Sequence, residues 1–192
     1  VNDGVSEQRD ALLARVVDYY AEHGVRDTSL RTLAAGIGTS QRMLHHHFGN
    51  RADVLTAVID AIAGSQAEQI RDLFAREQDP FEAGRRNWVD TLAGAEKFGA
   101  LWFELATHAM RGEPYAADLG RVMVETQLRE FTRVYATRTE ATTAAHLARL
   151  TLAVGQGLVF DYLIDRDRDA ADAAVLHFTE MVRRELAAPG NP

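Results

Sequence analysis

An all-α fold is what this sequence predicts, on three observations. Apolar residues recur at helical spacing almost throughout. No segment alternates apolar and polar residues over a useful strand length. Glycine or proline punctuates the chain where the period breaks. About nine helices result, and the 192 residues, 46% hydrophobic and 26% charged, suit one or two small globular domains. The absence of cysteine excludes disulfides, zinc ribbons and cysteine nucleophiles. No apolar run approaches the roughly 20 residues of a membrane span. Residues 1–10 carry Asp3, Glu7 and Asp10 and lack the basic-then-apolar order of a signal peptide, so a cytoplasmic chain without a membrane partner is expected.

The elements follow in order. Leu12, Val16 and Tyr20, with Leu13 and Val17 beside them, give a first helix a wide apolar stripe that Gly24 ends. Ser29 suits the N-cap of a short helix from Leu30 to Ile37, and Ser40 that of a second running to about His47. Asn50 caps the next, which carries Val54, Leu55, Val58, Ile59 and Ile62 and reaches about Phe74. Pro80 suits a first helical position, predicting one helix to about Leu92 and another from about Ala95 to Met110. Gly112-Glu113-Pro114 precedes a long helix expected from Tyr115 to Thr137. From Glu140 to Asp165 the chain is apolar on two stripes, Leu147-Leu150-Val154-Leu158-Tyr162 and Ala144-Ala148-Leu152-Gly155-Val159, and must be covered on both. A final helix from about Ala170 to Ala187 carries Val175, Phe178, Val182 and Leu186.

Two short helices joined by a glycine-containing turn within residues 28–48 form the pattern of a helix-turn-helix. Leu33, Ala34 and Leu44 pack the pair, while Thr39, Ser40, Gln41, Arg42 and His45 face outward at the start of the second helix, which such a motif offers to the DNA major groove. Charge agrees with this. Between Arg26 and Arg51 four arginines face Asp27 alone, a local +3 with His45, His46 and His47 in reserve, although the whole chain carries -7.

Thr28-Ser29-Leu30-Arg31-Thr32-Leu33-Ala34, then Gly38-Thr39-Ser40, Leu44-His45-His46-His47-Phe48, Arg51 and Val54-Leu55 resemble the N-terminal signature of the tetracycline-repressor (TetR) family over about residues 10–60. Thr39 replaces the usual valine, His45 the usual tyrosine and Arg51 the common lysine, and Arg42 stands where many members have a small residue. The resemblance implies a helix-turn-helix head over residues 1–51 and a ligand-binding and dimerisation body over 52–192, joined by the helix from about 52 to 74. It implies a homodimer on double-stranded, palindromic operator DNA, acting as a repressor released by a small effector. The DNA-contacting set is then Thr28, Ser29, Arg31, Thr39, Ser40, Gln41, Arg42, His45, His46, His47 and Arg51, with Arg42 reading guanine or contacting phosphate.

In the family the middle helices enclose an effector cavity. Here that implies Trp88, Trp102, Phe103, His108, Met123, Gln127, Phe131 and Phe160, a mostly neutral lining for an aromatic or apolar ligand. The last two helices resemble the family's dimerisation pair, implying Ala148, Leu152, Gly155, Val159, Val175, Phe178 and Val182 at the mate. No cofactor or metal is expected: consecutive histidines on a helix point about 100° apart and do not converge on one ion. No Gly-rich phosphate loop, Gly-x-Ser-x-Gly or His-Glu-x-x-His occurs, so no enzyme is expected. The competing reading is a helix-turn-helix regulator controlled by a protein partner, or constitutive, without a small ligand.

Overall fold

The structure, a computed structural model, describes residues 3–187, apart from the side chains of residues 3–5, 122 and 123. Among these residues eight α-helices and no strand form. They are α1 (Asp3–His23), α2 (Leu30–Gly36), α3 (Gln41–Phe48), α4 (Arg51–Arg76), α5 (Pro80–Met110), α6 (Thr126–Tyr135), α7 (Ala141–Asp165) and α8 (Arg168–Ala187). A 3-10 turn spans Pro114–Ala116 and a π turn Arg121–Glu125.

Two expected boundaries move. The helices expected over 80–92 and 95–110 are one, because Gly94 lies between buried Leu92 and Ala95 and tertiary burial outweighs its weak propensity. The helix expected from Tyr115 to Thr137 is broken instead. Pro114 starts only a 3-10 turn, and Gly120 followed by Val122 and Val124, all poor helix formers, leads into the π turn before α6 begins.

The chain forms two compact units. The first comprises residues 1–63 and 100–120: α1 to α3, the first half of α4 and about the last third of α5. Leu12, Val16 and Tyr20 of α1, Leu33 of α2, Leu44 of α3, Val54, Leu55 and Val58 of α4 and Leu105 of α5 are buried in it. Gly36 lets α2 approach α1 closely, since a Cβ there would strike the Tyr19 ring. Arg15 reaches from α1 to the Ile37 carbonyl at 3.0 Å, and Arg9 lies over the Phe48 ring at 5.1 Å.

Tyr20 is fully buried, and among the described residues its hydroxyl has no hydrogen-bond partner. Burial pushes its pKa up to about 12. A buried hydroxyl without a partner costs about 1–3 kcal/mol. Tyr20→Phe is therefore expected to stabilise the protein by about 1 kcal/mol in urea or thermal melts. A clear loss of stability would show that the hydroxyl is satisfied in solution.

The second unit comprises residues 64–99 and 121–192. In it α6 packs on α7, and α7 on α8. Glu140 caps α7 by accepting the Thr142 and Thr143 amides at 2.9 and 2.6 Å and the Thr143 hydroxyl at 2.7 Å. The Thr143 hydroxyl and these amides lower its pKa to about 2. Polar ties join α5, α7 and α8: Trp88 Nε1 donates to Asp172 at 2.6 Å and the Tyr162 hydroxyl to Glu96 at 2.7 Å.

The α7 helix is long and apolar enough by composition to cross a membrane, although no uninterrupted apolar run reaches that length. Its apolarity divides between two faces. Ala144, Leu147, Ala148, Leu152, Val159 and Tyr162 are buried in the unit's interior. Leu150, Phe160 and Ile164 are exposed, alongside Leu176 and Met181 of α8, and Arg149 and Asp161 lie beside them.

Candidate nucleic-acid interface

The α2–turn–α3 pair is fixed by local rules. Ser29 extends before α2 and its Oγ accepts the Thr32 amide at 3.1 Å. Gly38, at φ +66°, reverses the chain. Ser40 then caps α3 by accepting the Met43 amide at 3.2 Å. Buried Leu33, Ala34 and Leu44 leave only one register for the two helices. Asn50 and Asp53 cap α4 reciprocally, with Asn50 Oδ1 on the Ala52 amide and Asp53 Oδ2 on the Asn50 amide, both 2.8 Å.

This arrangement leaves Gln41, Arg42, His45 and His46 exposed on α3, with Ser40 at its start and Ser29 and Arg31 exposed at α2. Thr39 is half-buried. Gln41 Nε2 lies 3.3 Å from His45 Nε2. His47 differs: it is half-buried, and its Nε2 is enclosed without a hydrogen-bond partner among the described residues. It borders a recess of about 400 Å³ with Gln8, Arg42, Met43 and His46. Guanidinium, amide and imidazole groups on the first turns of one short helix can offer donors to base edges and phosphates together.

Two residues expected at the DNA point elsewhere. Thr28 is buried and its hydroxyl donates to the Gly24 carbonyl at 3.2 Å. Arg51 is half-buried, and its guanidinium turns inward to donate to the carbonyls of Thr28, at 3.0 Å, and of Val25. Burial and these partners tie both side chains to the α1–α2 loop. The sequence reading missed Glu104 of α5. Its Oε2 accepts the Val25 amide and its Oε1 the Arg26 amide, each at 3.0 Å. A carboxylate thus holds the loop's amides while a guanidinium holds its carbonyls. Gly24, at φ +73°, sits against the same carboxylate.

The residues expected around an effector divide between the units. Trp102, Phe103 and His108 lie in the first, where His108 Nδ1 bonds the Tyr115 hydroxyl. Trp88, Gln127, Phe131 and Phe160 lie in the second. There Phe131 packs in a buried cluster with Ile70, Ala148 and Leu152, flanked by Phe74, Leu128 and Tyr135. Gln127 donates to Gln66 at 3.2 Å, and Tyr135 and Thr151 share a hydrogen bond of 2.8 Å. Trp88 is tied to Asp172, and Phe160 is 48% exposed on the outer face of α7, away from that cluster. The Met123 side chain lies outside the described residues.

The residues expected at the mate are covered to different degrees. Ala148, Leu152, Val159 and Val182 are buried within their own unit, and Gly155, Val175 and Phe178 are partly covered. The apolar surface left on α7 and α8 is instead Leu150, Phe160, Ile164, Leu176 and Met181. The interior of α7 draws on both expected stripes, Ala144, Ala148, Leu152 and Val159 of one and Leu147 and Tyr162 of the other, while Phe160 and Ile164 of the exposed surface belong to neither.

A capped helix pair with an exposed Gln-Arg turn, on an otherwise helical chain, has the geometry of a helix-turn-helix. Residues 12–58 match the family described as bacterial regulatory proteins, tetR family. No curated protein is significantly similar to the chain in sequence. Solved structures share the fold. A transcriptional regulator from Rhodococcus sp. Rha1 is 20% identical, covers 92% of this chain and 96% of its own, and superposes with a TM-score of 0.80. A tetR-family regulator from Streptomyces coelicolor is 13% identical, with 95% and 86% covered and a TM-score of 0.73. The fatty acid degradation regulator FadR from Bacillus halodurans is 14% identical, with 91% and 93% covered and a TM-score of 0.68. The family match covers residues 12–58, and the chain as a whole shares the fold of these solved regulators.

Proposed function

We propose that this protein is a sequence-specific DNA-binding transcriptional regulator in the cytoplasm, a homodimer on a palindromic operator, with residues 1–51 as the reading head and 52–192 as the regulatory body. One observation carries the reading: Gln41, Arg42 and His45 stand exposed on the first turns of α3 while Leu44 anchors the helix from behind. Arg31 and His46 add charge or donors for phosphates, and Ser29, Thr39 and Ser40 lie at the helix starts where backbone amides also face the duplex.

Arg42→Ala is expected to lose about 1–3 kcal/mol of discrimination at one base pair per half-site. Titrations on matched and singly mismatched duplexes check this, and an even loss over all duplexes would assign Arg42 to phosphate.

The proposed control is repression relieved by a small aromatic or apolar effector. The neutral cluster of Phe74, Phe131 and Tyr135, with Gln66 and Gln127 as its polar pair, supports that ligand chemistry. A fold shared with a fatty acid degradation regulator makes acyl chains reasonable probes beside aromatic ones. A binder found by thermal shift must then lose affinity in the presence of operator by the factor it imposes on DNA. Equal affinities would favour control by a protein partner.

A further inference from the structure

We propose that His45 is a positioning residue for base reading: it fixes the side-chain amide of Gln41 so that Gln41 selects adenine at one position of each half-site. The proposal rests on the DNA-binding reading above and adds to it the base and the device that sets it.

Gln41 and His45 lie four residues apart on α3, on one face, and both are exposed. The close atoms are Gln41 Nε2 and His45 Nε2, at 3.3 Å. An amide nitrogen donates only, so as a hydrogen bond this contact requires the tautomer in which His45 Nε2 accepts and Nδ1 carries the proton. One of the two Gln41 N–H groups is therefore committed to the ring. The second N–H and the carbonyl oxygen remain side by side and point away from it. A donor beside an acceptor is the complement of adenine N7 and N6–H2 in the major groove.

Reversing the amide changes the answer. If position 45 were a donor, the Gln41 oxygen would turn toward it and both N–H groups would face the duplex. Two donors complement N7 and O6 of guanine. A free glutamine samples both orientations, so the partner at position 45 converts an ambiguous side chain into a selective one.

The experiment is selection of bound duplexes from a randomised library by the full-length chain and four variants, with melting curves to confirm folding. Gln41→Ala should lose adenine at one position per half-site, which identifies the base Gln41 reads. His45→Ala should relax that position by about tenfold, within the range of one bidentate contact. His45→Lys, a donor only, should move it toward guanine. His45→Glu, an acceptor only, should keep adenine there while its charge weakens binding to every duplex alike. Combined with Gln41→Ala, none of these changes should alter that position further. If the His45 variants leave adenine unchanged there, or shift another position equally with and without Gln41, the inference is overturned and the DNA-binding reading stands. If the unaltered protein enriches no sequence, both fall.

Discussion

Replacing Arg51 by alanine should destabilise the N-terminal unit by about 2–4 kcal/mol, more than any exposed DNA-facing substitution. The guanidinium donates to the Thr28 and Val25 carbonyls from a half-buried position, and hydrogen bonds from a charged group contribute about 1.5–3 kcal/mol each. Its removal leaves two carbonyls of the α1–α2 loop without that donor. Glu104→Ala should act in the same direction, because the Val25 and Arg26 amides lose a shared carboxylate. DNA binding should weaken on all sequences because the α1–α2 loop no longer holds the helix pair in place on the unit. The dependence on salt should not change, since no phosphate contact is lost. Urea melts and titrations at several salt concentrations check both halves. An unchanged melt with a salt slope lowered by about one would return Arg51 to the phosphate-contacting set.

The second large effect concerns pairing. Ile164→Glu combined with Leu176→Glu should give a monomer. These residues are 68% and 57% exposed, on α7 and α8, which pack against each other. A two-fold axis sets the same patch against itself, so each added carboxylate meets apolar surface or its own copy. Separating the two heads should cost operator affinity by about 10²–10⁴, the usual gain from linking two binding events. Sedimentation and operator titration measure it. Val182→Glu is the contrast: at 4% exposure it should unfold the unit before it alters association. A dimer that survives the double substitution would place the pairing face elsewhere.

Local chemistry was legible in the sequence. The caps at Ser29, Ser40 and Asn50 depend on residues two or three positions away, and each forms as expected. Gly24 and Gly38 take positive φ where turns were expected. Features set by distant partners were not legible. The direction of Arg51 depends on Val25, 26 residues away, and the loop's second anchor lies 78 to 79 residues away on Glu104. No periodicity encodes either. Which side of α7 stays exposed was equally hidden, because apolar residues surround the helix and Phe160 and Ile164 lie in neither expected stripe. A signal existed in Arg149 and Asp161, charged residues beside Leu150 and Phe160, which mark the outer side. The continuity of α5 through Gly94 rests on burial on either side of it, which propensity does not register.

The central claim is that α3 of a paired chain reads DNA. Enrichment of duplexes from a random pool, followed by stoichiometry on the winner, tests it most directly. The expected winner is a two-fold symmetric site bound by one dimer, its half-site centres about 34–36 Å apart or a multiple of that, with affinity falling steeply as salt rises. Recovery of no preferred sequence, or of an asymmetric site bound by a single chain, would contradict it.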